Sequence, residues 1–203
     1  MNASSLYLFA GDSITDAGRD RTDPESLGDG YVSLVRDRLA PATVRNAGVA
    51  GDRAVDLAAR WQRDVVAPRP DTLTVFVGVN DTWRRFDAGI TTTATEFAET
   101  YRGMLHRVTA APGRPRLILI EPFLLPVREE QTTWLDDLDG KRAAVADLAD
   151  EFDATFIPLH GILRRAAADV GPAVLAPDGV HPTARASRII ADAWLHAAEP
   201  AAD

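Results

Sequence analysis

The sequence predicts an α/β fold in which a parallel β-sheet carries helices on both faces. Three observations point there. Five short apolar runs alternate with amphipathic segments along the whole chain. Two of these runs, 73–77 and 117–120, are rich in Val, Ile and Leu and read as buried on both faces, as central parallel strands are. The 203 residues, 46% hydrophobic and 26% charged, suffice for one compact domain over 1–203. No internal repeat or low-complexity linker marks a second domain.

The elements follow in order. The first strand is expected over 6–10, with an irregular stretch over 16–29 behind it. A helix over 30–39 places Val32, Val35 and Leu39 on one face. The second strand, 43–46, leads to a helix over 54–66 that gathers Leu57, Ala58, Trp61 and Val65. The third strand is 73–77, and the next helix, 95–109, aligns Phe97, Tyr101, Leu105 and Val108. The breaker cluster 111–115 introduces the fourth strand, 116–120. A second irregular stretch, 122–139, precedes a helix over 140–152, the fifth strand at 155–158 and a helix over 162–170. The last helix starts near Pro182, a good first-turn residue, and presents Ile189, Ile190, Ala193 and Trp194. The tail, 199–203, reads as frayed. Both irregular stretches follow the carboxyl ends of strands, where open α/β sheets build their sites.

Composition narrows the function classes. A formal charge of −8 argues against a nucleic-acid partner, which needs a basic face, and against anionic membranes. The absence of cysteine excludes disulfides, thiolate metal sites and a cysteine nucleophile. No His/Asp/Glu group has ligand spacing, so a metal enzyme is not expected. The N-terminus lacks the charged start and long apolar stretch of a secretory signal, and no run has membrane-span length. A cytoplasmic protein is the expectation.

Gly11-Asp12-Ser13-Ile14-Thr15 follows directly on the first strand. A serine there is a helix cap or turn residue, or a nucleophile at the carboxyl edge of the sheet. Thr15 stands where the Gly-x-Ser-x-Gly elbow has its second glycine, so that elbow is absent. Asp178-Gly179-Val180-His181-Pro182 sets an Asp three residues ahead of a His, before the last helix. Across one turn such a carboxylate can fix the imidazole tautomer and stabilise the imidazolium. A capping Asp with an incidental His is the alternative. His106 and His196 fit solvated or interfacial helix positions, and His160 a structural one. Asn80 closes the third strand, and Gly51 follows the second. In the sheet order 2-1-3-4-5, strands two, one and three are neighbours, which brings Gly51, Ser13 and Asn80 side by side. That supplies a nucleophile and an oxyanion hole made of the Ser13 and Gly51 N–H groups and the Asn80 amide.

The blocks Gly-Asp-Ser-Ile-Thr, Gly-Val-Ala-Gly-Asp, Gly-Val-Asn-Asp and Asp-Gly-Val-His-Pro resemble, in order, the four defining blocks of the SGNH (GDSL) hydrolases. The resemblance implies a flavodoxin-like three-layer sandwich with a five-stranded parallel sheet. It implies ester hydrolysis through an acyl-enzyme, with Ser13 as nucleophile, His181 as base and then acid, and Asp178 as its orienter. Ser13, Gly51 and Asn80 form the oxyanion hole. Gly51 is preferred to Gly48 because it stands before Asp52, as in the family block.

The stretches Asp16-Ala17-Gly18-Arg19, Leu27 to Val32 and Asn80-Asp81-Thr82-Trp83-Arg84 are further similar to the bacterial acetylxylan-esterase-type branch. That branch removes acetyl groups from xylan or xylo-oligosaccharides and is often intracellular and homo-oligomeric. Candidate substrate-binding residues are Asp12, Tyr31, Trp83 and Arg84, with Trp134 at the rim. Trp83 suits either core packing or a sugar-stacking wall. Asp12 and Asp81 also suit bonding to loop N–H groups. The expectation is a cofactor-free serine esterase for acetyl or other short acyl esters. A lysophospholipase or acyl-thioesterase, and a non-catalytic carbohydrate- or flavin-binding module, are the rival readings.

Overall fold

The computed structural model describes residues 5–199. Five parallel strands, β1 (Leu6–Gly11), β2 (Thr43–Gly48), β3 (Thr72–Phe76), β4 (Arg116–Ile120) and β5 (Thr155–Ile157), form one sheet in the order β2-β1-β3-β4-β5. This is the expected order, so strands two, one and three do lie together. Gly11 pairs with Gly48 on one side and Phe76 on the other, which levels the carboxyl ends of β2, β1 and β3.

Period-two alternation divides the strand side chains between two cores. Phe9, Phe76, Ile118 and Ile120 pack with α2 (Tyr31–Leu39), α7 (Leu159–Val170) and α9 (Ala184–Ala198). Leu8, Ala10, Leu73, Val75, Leu117 and Leu119 pack on the other face with α3 (Ala54–Trp61), α5 (Ala94–Thr109) and the later turns of α6 (Trp134–Glu151). The helix faces match the sequence spacing: Val32, Val35 and Leu39 are buried together, as are Phe97, Tyr101, Leu105 and Val108. Each fully buried side chain of this size contributes about 1.5–3 kcal/mol.

Several boundaries differ from expectation, for local reasons. The last helix starts at Ala184, because Thr183 is its cap and accepts from the Ala186 N–H; Pro182 lies one residue outside. α6 begins at Trp134 rather than 140: Trp134 and Leu138 continue its buried face, and Asp136 and Asp137 suit its first turn. Gly140 is tolerated inside it, where a Cβ would press on Ala94. α7 likewise begins at Leu159, and α3 continues as a π-helical turn through Gln62–Val66. Three short helices were not among the expected elements: α1 (Ser13–Asp16) and α8 (Pro172–Leu175), too short for a period to show, and α4 (Val79–Asp87), whose Val79, Trp83 and Phe86 do stand at helical spacing. The frayed tail expected at 199–203 lies outside the described residues beyond Glu199.

Candidate active site

β1 delivers Ser13 to the carboxyl edge of the sheet. Asp12 caps α1, its carboxylate accepting from the Ile14 N–H at 3.0 Å. The turn is braced by Asn46 on β2, which donates to the Thr15 and Leu27 carbonyls at 2.7 and 2.9 Å. Asn46 also accepts from the Gly48 N–H at 2.9 Å. It is a supporting residue that the block resemblance did not single out. Its signal in the sequence is a buried amide ending a strand beside the nucleophile.

His181 reaches Ser13 from the opposite side. Its Nε2 lies 2.9 Å from Ser13 Oγ, and its Nδ1 lies 2.6 Å from Asp178 Oδ2. The other Asp178 oxygen accepts from the Val180 and His181 N–H groups at 2.9 and 2.8 Å. Gln131 donates to the Asp178 carbonyl at 2.7 Å, and the Leu125 N–H donates to the Gly179 carbonyl at 2.9 Å. The irregular stretch after β4 therefore anchors the His181 loop. Partial burial alone would raise the Asp178 carboxyl. The hydrogen bonds from the His181 ring and from the two N–H groups outweigh that and hold it below the usual carboxylate range.

On the other flank the two candidate glycines separate. Gly48 is buried, its N–H is taken by Asn46, and a Cβ there would stand 2.3 Å from the Asp16 nitrogen. Gly51 has φ +88°, open space where a Cβ would stand, and an N–H without a partner among the described residues. Ser13 N–H is likewise unpartnered among the described residues. Asn80 does not end the third strand as expected. β3 stops at Phe76, and Asn80 sits in the first turn of α4. It donates one amide hydrogen to the Asp52 carbonyl at 3.0 Å, tying α4 to the Gly51 loop, and the second amide hydrogen remains for a ligand.

Two more carboxylates support this flank. Asp81 accepts from the Ala54 N–H at 3.0 Å. Asp81 Oδ1 and Asp12 Oδ2 are both buried without a partner among the described residues. Burial, with Asp81 and Asp52 nearby, pushes Asp12 up to about 7. Burial pushes Asp81 up to about 6, against the Ala54 N–H and the charges of Lys141 and Arg53.

The candidate substrate residues divide. Asp12 and Tyr31 do not face the cleft: each is 1% exposed. Asp12 is drawn in by the cap it makes. Tyr31 packs between Phe9 and Phe76, its hydroxyl 3.0 Å from Thr15 Oγ1. Trp83 is half-buried, with its ring centre 5.9 Å from the His181 ring and 5.9 Å from Trp134. Arg84 pairs with Asp87, and Arg85 with Asp137 at 2.6 Å. Trp134 is 6% exposed and stacks on Phe86 rather than forming a rim. His160 is buried; burial, with Arg142 and Arg164 nearby, pushes it down to about 4, so it is neutral as a structural histidine is. A cavity of about 490 Å³ opens beside Ser13 and His181.

Comparison with known proteins agrees with this geometry. The model of the GDSL-like lipase/acylhydrolase family matches residues 9–189. The chain is 32% identical to an acetylxylan esterase of Geobacillus stearothermophilus, covering 96% of this chain and 94% of that one. It is similar to the crystal structure of a GDSL-like lipase from Parabacteroides merdae, with a TM-score of 0.91 at 29% identity over 96% and 95% of the two chains. A crystal structure of the Geobacillus stearothermophilus acetylxylan esterase superposes with a TM-score of 0.86 at 31% identity, covering 97% of this chain and 96% of that one.

Proposed function

The chain belongs to the GDSL-like lipase/acylhydrolase family and is a carboxylic ester hydrolase, and from that premise we propose that it removes acetyl groups from xylo-oligosaccharides or other acetylated sugars through an acyl-enzyme on Ser13. The observation that carries the chemistry is the unbroken chain from Ser13 Oγ to His181 Nε2 at 2.9 Å and from His181 Nδ1 to Asp178 at 2.6 Å.

Ser13 Oγ attacks the acyl carbon while its proton passes to His181 Nε2. Negative charge grows on the carbonyl oxygen and meets the N–H groups of Ser13 and Gly51 and the free amide hydrogen of Asn80. Losing one such donor costs about 3 kcal/mol of transition-state stabilisation. The protonated imidazole is held by Asp178. It then gives its proton to the alcohol oxygen as the ester bond breaks. Water attacks the acyl-enzyme and loses its proton to the same nitrogen; as the acyl–oxygen bond breaks, that proton passes to Ser13 Oγ, which frees the serine and the carboxylic acid.

The acetyl-sugar substrate draws support from the acetylxylan-esterase relatives. The test is turnover of p-nitrophenyl acetate and acetate release from acetylated xylo-oligosaccharides by wild type and Ser13→Ala. Equal rates for the two proteins would overturn the nucleophile. A p-nitrophenyl ester series in which long chains are preferred would overturn the acetyl reading and favour a lipase or thioesterase.

A further inference from the structure

The cavity beside Ser13 holds about 490 Å³, within the range of small-molecule sites and far larger than an acetyl group needs. His181 bounds it, whereas Gly51 and Asn80 do not. In ester cleavage the carbonyl oxygen turns to the oxyanion donors, and the leaving alcohol takes its proton from the histidine. A cavity that shares His181 and excludes those two donors therefore lies on the alcohol side of the reaction.

Much of its wall is small: Ala17, Gly18, Gly30 and Ala184. Two carboxylates reach it, and they differ. Asp16 is paired with Arg21, and Arg19 lies 3.5 Å away. The Asp29 side chain has no ion pair and accepts no hydrogen bond among the described residues. Its backbone is fixed nevertheless, since its N–H donates to the Ala17 carbonyl at 2.9 Å. A Cβ on Gly18 would lie 3.5 Å from Asp29 Oδ1, so the carboxylate stands over the Gly18 wall. The alcohol side thus carries one uncompensated negative charge, Asp29, beside the compensated Asp16, the Ser187 side chain and a wall of small residues.

We propose that Asp29 sets the specificity of the alcohol subsite. It accepts hydrogen bonds from the hydroxyls of a neutral polyol, favours a cationic alcohol and rejects one that carries a carboxylate, such as a uronic-acid-substituted sugar. The proposal rests on Ser13 and His181 being the reacting pair, but not on the identity of the sugar.

The test uses charge probes of matched shape. Acetylcholine and its neutral isostere 3,3-dimethylbutyl acetate differ in one charge on the alcohol; O-acetyl-lactate and its methyl ester supply the opposite charge. Wild type is expected to prefer the cation over its isostere by about tenfold in kcat/KM at low ionic strength and to disfavour the anion, with both ratios shrinking in 0.5 M salt, a concentration at which the Debye length is only about 4 Å. Asp29→Asn should bring both ratios close to one, with kcat/KM for the neutral isosteres changing far less than for either charged ester. Ratios unchanged in Asp29→Asn, or an equal loss on every ester, would overturn the role of Asp29. A Ser13→Ala protein as active as wild type on p-nitrophenyl acetate would instead overturn the reacting pair.

Discussion

Replacing Asp178 by asparagine tests the tautomer control of His181. The two oxygens of Asp178 have separate duties: Oδ1 accepts from the N–H groups of Val180 and His181, and Oδ2 faces His181 Nδ1 at 2.6 Å. An asparagine can satisfy both N–H groups only with its carbonyl oxygen, so its NH2 occupies the place of Oδ2. Turning the amide over would set a donor against two donors and forfeit two hydrogen bonds of about 1 kcal/mol each, with a desolvation cost besides. The amide therefore stays and donates to Nδ1. The ring proton then moves to Nε2, which faces Ser13 Oγ at 2.9 Å and can no longer accept its proton. A wrong tautomer of this kind lowers kcat about 10⁴-fold, equivalent to about 5.5 kcal/mol. His181→Ala removes the base itself and should fall further, by about 10⁶-fold. The assay is kcat and KM on p-nitrophenyl acetate for both variants, with ¹⁵N NMR of the histidine ring to read the tautomer. An Asp178→Asn protein within tenfold of wild type, or one more impaired than His181→Ala, would refute the reasoning.

Three other outcomes follow from the same contacts. Asn80→Ala removes one oxyanion donor and should lower kcat about 10²–10³-fold with little change in KM, read on the same ester. Asp137→Ala leaves the fully buried Lys141 ammonium without its 2.5 Å carboxylate partner and cuts the tie from Thr82 to α6. It should cost about 3–5 kcal/mol in urea unfolding and lower the Tm by about 10 °C. Asp12→Asn bears on pH. The Asp12 carboxyl is raised from 3.8 to about 7 in the folded chain. Between those values the folded state holds a proton that the unfolded state has released, so stability falls as pH rises through that window and levels off above it. The span is roughly three units, on the order of 4 kcal/mol. Asparagine keeps the acceptor for Ile14 and removes the proton. Urea curves from pH 5 to 8 should therefore fall for wild type relative to the variant, and parallel curves would sink the assignment.

Legibility in the sequence followed the strength of the local signal. The strands and both helix faces were readable because apolar runs and the 3.6-residue spacing in α2 and α5 reflect burial directly, and the strand order followed from the common doubly wound arrangement. Asp178 and His181 were readable because their three-residue spacing is itself the geometry of the contact. Asn80 was readable by type but not by placement: Val79, Trp83 and Phe86 recur at helical spacing, but the nine-residue helix follows the strand so closely that its first turn reads as the strand's end. Asp12 and Tyr31 were misplaced at the substrate for a related reason. Adjacency to a functional residue in the chain does not fix which way a side chain turns. The Ile14 N–H draws Asp12 inward, and Phe9 and Phe76 enclose Tyr31.

The carboxylates of the site show why residue type alone could not assign their roles. Asp178 is partly exposed and meets a donor at each oxygen, so it remains charged where the enzyme must stabilise an imidazolium. Asp12 and Asp81 lie beside the oxyanion donors, each with one oxygen bound to a backbone N–H and one buried without a partner among the described residues. Two full negative charges in that place would oppose the oxyanion that the proposed Ser13, Gly51 and Asn80 donors would receive. Burial, with repulsion from Asp81 and Asp52 added at Asp12, keeps their protons close to neutral pH, so the pair can brace the loops while adding less negative charge to the hole. Environment thus drives like side chains apart, as it does wherever one site needs both a charged and a neutral acid. The same logic separates the acids of the alcohol side. Asp16 is compensated by its arginines and shapes the wall, while Asp29, left uncompensated, is the one whose charge a substrate meets.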